Sequence, residues 1–316
     1  MLRFLVHRLF SAVPVLFIVS LVSFLLIWLV PGDVASTIAD PGASAEELQR
    51  IRMRLNLDKP WHLQMLHWYG NLVQGDLGQS FLLNRGVGQA IVERLPVTLS
   101  LTAIALTLSL LLGVLSGVIA SVRHGTWLDQ SFMTLALLGL SIPDFWLGLV
   151  GIYVFAVALG WLPSSGFVPI DQSFVGWARS MALPALTLAT TQMGLLARIT
   201  RSSMLEVLRQ DFVRTARAKG LPGFKVVGKH ALTNALIPVI TVAGVVVGIL
   251  LGGAVVIEQV FALPGVGRLI IGAVLRRDYP VIQGGLLLLA SIYVFVNIAV
   301  DLLYAYVDPR VRYDDR

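Results

Sequence analysis

No cysteine occurs among the 316 residues, which removes disulfide staples, cysteine metal sites and thiol nucleophiles from consideration. Charge is scarce too: Asp, Glu, Lys and Arg make up 13% of the chain, against about 25% in soluble domains. With 56% hydrophobic residues and a mean hydropathy of +0.81, a soluble globular chain is excluded, because such a chain must clothe its surface in polar groups. The surplus apolar surface must face lipid.

Catalytic signatures are missing as well. His62 and His67 are five apart with no glutamate between them, so they do not form the H-E-x-x-H helix face of a zinc protease, and no G-x-S-x-G elbow occurs. Gly223 to His230 fits the phosphate-loop spacing G-x-x-x-x-G-K, but His230 stands where a magnesium-binding hydroxyl is required and no buried strand precedes the loop. The chain is therefore expected to be no enzyme, to carry no catalytic or metal-ligating residues and to bind no cofactor of its own.

What the sequence does have is long runs without charge. A membrane-spanning helix needs about 20 such residues, and five stretches qualify or nearly so: Phe10–Val30, Leu95–Val122, Ser180–Ala197, Ala231–Ile257 and Tyr279–Val300. A sixth, Ser131–Gly166, carries one charge, Asp144, directly after Pro143; its span is placed near 131–158. The expected fold class is all-α, a polytopic membrane protein with six transmembrane helices and no separate soluble domain. The first run is longer than the apolar region of a signal peptide and lacks an A-x-A site, so it reads as an uncleaved span.

Six spans put both termini on one side. The side holding the termini carries 14 Lys and Arg, against four in the short loops of the other side, once the 64-residue segment 31–94 is set aside as long enough to cross regardless of charge. Both termini are thus expected in the cytoplasm, with 31–94 an outward, periplasmic loop. Within that loop Glu46 to Leu55 pairs charges as a short helix does, and Trp61, Trp68 and Tyr69 read as membrane-surface anchors.

The cytoplasmic segment 198–230 holds eight basic residues and an apolar stripe at Leu205, Leu208, Phe212 and Ala216, the spacing of an amphipathic helix. The helix is expected to stop at Gly220, ahead of Pro222 and Gly223, with Arg217 and Lys219 suiting the dipole of its last turn. A second short helix is expected from about Phe224 to Asn234. Two helices meeting at a glycine elbow make a knob that either docks on a partner or lies on anionic lipid. Of the polar groups within spans, Asp144, Gln192, Asn297 and Asp301 are candidates for a translocation path. A Pro-broken helix end for Asp144, a membrane-surface position for Asp301 and helix–helix hydrogen bonds for Gln192, Asn234 and Asn297 explain them as well.

The elbow carries a resemblance. Asp211-Phe212-Val213-Arg214-Thr215-Ala216-Arg217-Ala218-Lys219-Gly220-Leu221, followed by His230-Ala231-Leu232, Asn234-Ala235-Leu236-Ile237-Pro238, closely resembles the cytoplasmic "EAA" loop of binding-protein-dependent ABC importer permeases, in the form carried by the dipeptide, oligopeptide, glutathione and nickel group. Pro31-Gly32-Asp33, Leu55-x-Leu57-Asp58-x-Pro60, Gly75-Asp76-Leu77-Gly78-x-Ser80-Phe81, Pro264 to Leu269, Arg277-Asp278-Tyr279-Pro280-Val281-Ile282-Gln283 and Asp308-Pro309-Arg310 extend the likeness over nearly the whole chain. Two departures from the general importer motif, Arg214-Thr215 in place of Glu-Ala and 14 residues between Gly220 and Ala235, are usual in the peptide group and narrow the resemblance to it.

The resemblance implies a type I ABC importer permease fold in the bacterial inner membrane, residues 1–316 forming a single permease domain. It implies a homologous second permease, two cytoplasmic ATPase subunits that use the ATP and magnesium, a periplasmic or lipid-anchored solute-binding protein, and no nucleic acid. Short peptides are the implied cargo, with nickel, opine or sugar oligomers as the alternative within the family. From another class, an ion-coupled secondary transporter would use a midplane carboxylate such as Asp144. Asp211, Phe212, Arg214, Thr215, Ala216, Ala218, Lys219, Gly220 and Leu221 are the residues implied to couple to the ATPase. Phe212, Ala218 and Leu221 supply the apolar contact, and Arg214 and Lys219 meet acidic groups.

Overall fold

A computed structural model describes residues 2–29, 44–54 and 58–307. Pro31-Gly32-Asp33, Leu55, Leu57, Asp308-Pro309-Arg310, Arg312 and Arg316 lie outside the described residues. The elements run α1 (Leu2–Leu29), α2 (Ala45–Arg54), α3 (Trp61–Val73), a hairpin of β1 (Gln79–Ser80) and β2 (Arg85–Gly86), α4 (Val87–Val92), α5 (Leu95–Val122), α6 (Trp127–Ser141), α7 (Asp144–Gly151) continued by a π-helical turn Ile152–Ala158, α8 (Phe174–Val207), α9 (Asp211–Ala218), α10 (Gly223–Lys225) continued by a π-helical turn Val226–Ala231, α11 (Leu232–Val260), α12 (Val266–Leu275) and α13 (Tyr279–Val307).

Among the described residues five helices are long and apolar enough to cross a membrane, and a sixth span exists if one bent pair counts as one. That pair is the stretch placed near 131–158. It is no straight rod: α6 and the Asp144–Ala158 helix meet at 103°. Pro143 lacks an N–H and pushes the residue before it out of helical conformation, and Ile142 accordingly sits at φ −91°, ψ 127°. The expected short helix 224–234 is likewise no separate element, because helical conformation runs on from Gly223 to Val260.

The chain forms two units. The first comprises Met1–Arg8, Val97–Pro264 and Tyr293–Arg316. Its centre is α8, the most deeply buried of the long apolar helices, and small residues let its neighbours close on it. A Cβ added at Gly117 of α5 would lie 2.6 Å from both the Ala197 carbonyl oxygen and the Thr200 side chain, and one at Gly113 would meet Leu196 at 2.9 Å. Close approach of backbones is how helices gain packing energy where lipid is as apolar as leucine. Leu101, Ala105, Leu188, Leu196, Val246, Leu250 and Phe261 fill the core between α5, α8 and α11.

The second unit comprises Leu9–Pro96 and Gly265–Ile292. Val87, Ile91, Ala273 and Val281 form its core. Asp278 fastens the hairpin: its Oδ2 accepts the Ser80 hydroxyl at 2.5 Å and the Leu82 N–H at 3.3 Å. Trp68 and Tyr69 are not free surface anchors. Tyr69 stacks on Phe17 and its hydroxyl meets the Ser20 hydroxyl at 2.8 Å, while Trp68 packs on Phe24, so α3 lies along α1; Trp61 alone of the three is exposed.

Candidate functional site

The segment 198–230 forms the elbow, with one change from the continuous amphipathic helix expected. The helix breaks at Leu208–Gln210, where the N–H groups of Arg209 and Gln210 turn back to the carbonyls of Glu206 and Val207 and Gln210 becomes extended. The reason lies in which side chains are buried. Met204, Val207, Val213, Ala216, Val226, Ala231 and Ala235 form one cluster with Leu208 and Val118 packed against it, and Leu208 and Val213 are five residues apart, too far round one straight helix to share a face. The break re-aims α9 so that Val213 goes in, and Phe212, on the apolar stripe and expected at the partner contact, faces out.

The elbow itself is a complete Schellman turn. Gly220 has φ +77°, its N–H bonds the Arg217 carbonyl at 2.9 Å, and the Leu221 N–H bonds the Ala216 carbonyl at 3.3 Å. Pro222, at φ −64°, starts the next helix immediately. A hairpin with Val213 and Ala216 pinned inside has its opposite face fixed in space. That face shows Asp211, Phe212, Arg214, Thr215, Ala218, Lys219, Gly220 and Leu221, all exposed, whereas Ala216 is buried. Asp211 and Arg214 form an exposed ion pair at 3.5 Å. The largest apolar surface on the knob was missed from the sequence: Phe224 is 75% exposed, beside Phe212 at 40% and Leu221 at 36%. Its position two residues after Pro222, at the start of the return helix, is the signal that could have found it.

The four candidate path residues are not gathered into one site. Asp144 opens α7, half-buried, and accepts a hydrogen bond from the Thr191 hydroxyl, which also faces the Gly139 carbonyl oxygen at 3.3 Å. Thr191 therefore ties both sides of the Pro143 break to α8. Gln192 is buried with its Oε1 unpaired. Asn297 donates to the Tyr293 carbonyl within its own helix at 3.1 Å, and Asp301 pairs with Arg8 at 3.2 Å.

Two polar contacts escaped the sequence reading. Asp129 is buried and held by Arg201 through two N–H groups, by the Gly125 N–H at 3.0 Å and beside His124 at 3.1 Å. Glu258, fully buried one residue past the last apolar stretch but one, accepts the Thr98 hydroxyl at 2.6 Å.

Comparison with known proteins decides the family. Residues 109–313 match the model of the binding-protein-dependent transport system inner membrane component, and residues 1–102 match its N-terminal counterpart. The chain belongs to this permease family. Relatives matched over nearly their whole length include a Brucella abortus chain named a peptide transport system permease protein, 50% identical over 99% of this chain and 100% of that one. They also include a Pseudomonas aeruginosa di/tripeptide transport system permease protein, 45% identical over 99% of each, and an Escherichia coli glutathione transport system permease protein, 44% identical over 99% and 100%. The fold is that of a methionine ABC transporter solved in inward-facing conformations, with a TM-score of 0.58 at 21% identity over 70% of this chain and 97% of that one. The elbow and the broken α6–α7 pair are thus parts of an integral membrane permease of the ABC importer class.

Proposed function

We propose that this permease is one half of the transmembrane pathway of an ATP-driven importer of short peptides, working beside a homologous second permease in a bacterial inner membrane with both termini in the cytoplasm. Two ATPase subunits bind and hydrolyse ATP with magnesium, and a solute-binding protein delivers peptide from outside. The observation that carries the proposal is the exposed elbow. Phe212, Ala218, Leu221 and Phe224 are exposed there together with Arg214, Arg217 and Lys219, on a turn whose back is fixed by buried Val213 and Ala216. Such a knob suits an apolar groove with acidic edges on an ATPase subunit. Because α9 is pinned to the end of α8, a pull on the knob is passed to the helix at the centre of its unit. The peptide cargo is supported by relatives matched over nearly their whole length, named for peptide, di/tripeptide and glutathione transport.

The test is purification of the tagged chain with its partners from the native host, followed by reconstitution with the co-purifying binding protein. ATP-dependent accumulation of di- or tripeptides is the expected result. Accumulation of nickel in place of peptide would overturn the cargo, and ion-gradient-driven uptake by the chain alone would overturn the ATP coupling.

A further inference from the structure

We propose that the groove between α6 and α8 binds the phosphate of an acidic phospholipid. It is an open-sided groove of about 420 Å³ lined by Met133, Leu195, Arg198, Ile199, Arg201 and Ser202. The lining divides by chemistry. Met133, Leu195 and Ile199 offer a wall for acyl methylenes, and Arg198, Arg201 and Ser202 offer N–H and O–H donors. The division falls where the chain itself changes character: Ser180–Ala197 carries no charge, and Arg198 is the first charged residue after it. The groove therefore sits at the edge of the apolar slab, at headgroup depth.

Charge in the groove is not balanced from within. Arg201 gives Nε and Nη2 to Asp129, so one guanidinium is matched by one carboxylate and its Nη1 edge is left over. Arg198 is exposed and forms no ion pair among the described residues. One net positive charge beside a greasy wall selects an anionic diester with hydrocarbon attached. A zwitterionic headgroup brings its own ammonium, and free phosphate leaves the apolar wall wet. Guanidinium donors match phosphate oxygens in pairs, and basic pockets between membrane helices take acidic headgroups. The same helix end leads through Leu208 into the elbow, so lipid held there braces the base of the knob.

The experiment uses the assembled complex purified in detergent and offered mixed micelles of phosphatidylglycerol and phosphatidylethanolamine, with retained lipid counted by native mass spectrometry. Wild type should retain phosphatidylglycerol in preference to phosphatidylethanolamine. Arg198→Gln should reduce that retention about fivefold, the change for one basic group at a membrane surface. Met133→Trp, which fills the apolar wall and leaves both arginines, should reduce it too, whereas Arg123→Gln, an equal charge loss outside the groove, should not. Undiminished retention by Arg198→Gln, equal retention of the two lipids, occupancy by inorganic phosphate without lipid, or no retained lipid in the assembled complex would each overturn the proposal. The readout does not involve transport, so its failure is distinct from a failure of the peptide-importer assignment.

Discussion

Arg201 grips Asp129 from two sides, Nε to Oδ1 at 2.6 Å and Nη2 to Oδ2 at 2.8 Å, across 72 residues of sequence. The contact joins the first turn of α6 to the last third of α8, so the helix that leads into the elbow is tied to the broken span. Asp129 is buried and Arg201 half-buried, and a buried carboxylate stripped of its partner costs more than a half-buried guanidinium stripped of its own.

The two single substitutions should therefore differ. Arg201→Leu leaves the carboxylate orphaned and should destabilise the purified permease by about 3 kcal/mol or more; Asp129→Asn keeps an acceptor for the guanidinium and should cost less. Thermal unfolding in detergent checks the order. Equal midpoints for both variants and wild type would show that the pair carries no stability.

Gly220 gives a graded prediction. Alanine at φ +77° costs about 1–2 kcal/mol, so Gly220→Ala should weaken ATP-driven uptake without abolishing it. Gly220→Pro cannot reach that φ and loses the N–H bonded to Arg217. It should abolish uptake while leaving the chain in the membrane, as followed by uptake at matched membrane levels. Full transport by the proline variant would remove the coupling role of the elbow.

Much of the elbow was legible because glycine and proline write their conformations into the sequence: Gly220, Pro222 and Gly223 mark the turn unaided. The break at Leu208–Gln210 was not, since no breaker residue stands there and only burial of Val213 against Met204 and Val207 forces it. The hydropathy runs gave the spans, and Pro143 flagged a defect in one of them without giving its 103° bend, which neighbouring helices set. Asp129–Arg201 and Thr98–Glu258 were invisible because the partners lie 72 and 160 residues apart.

Asp144 faces Thr191, and the amide of Asp144→Asn keeps an oxygen to accept that hydroxyl. This variant should assemble and transport at close to the wild-type rate. Thr191→Val removes the donor shared between Asp144 and Gly139 and should lower thermal stability by about 1–3 kcal/mol. Complete loss of uptake by an assembled Asp144→Asn complex would place this carboxylate in the transport path instead.

Apolar contacts on the knob should act on assembly and not on folding. Phe224→Ala removes a 75% exposed ring, so it should leave the melting temperature of the isolated permease unchanged and reduce the ATPase recovered with it in pull-downs. A drop in permease stability with undiminished ATPase recovery would make the ring a structural one.

The most direct measurement exploits the missing cysteine. Because the chain contains none, a single one introduced by Leu221→Cys or Ala218→Cys is a unique reporter in this subunit, and bifunctional cross-linking followed by mass spectrometry identifies what it touches. Cross-links from both positions to one groove of an ATPase subunit, changing in yield between ATP-bound and nucleotide-free complexes, are the predicted result. A transporting complex in which neither position reaches an ATPase, while a control cysteine elsewhere on the same surface does, would contradict it.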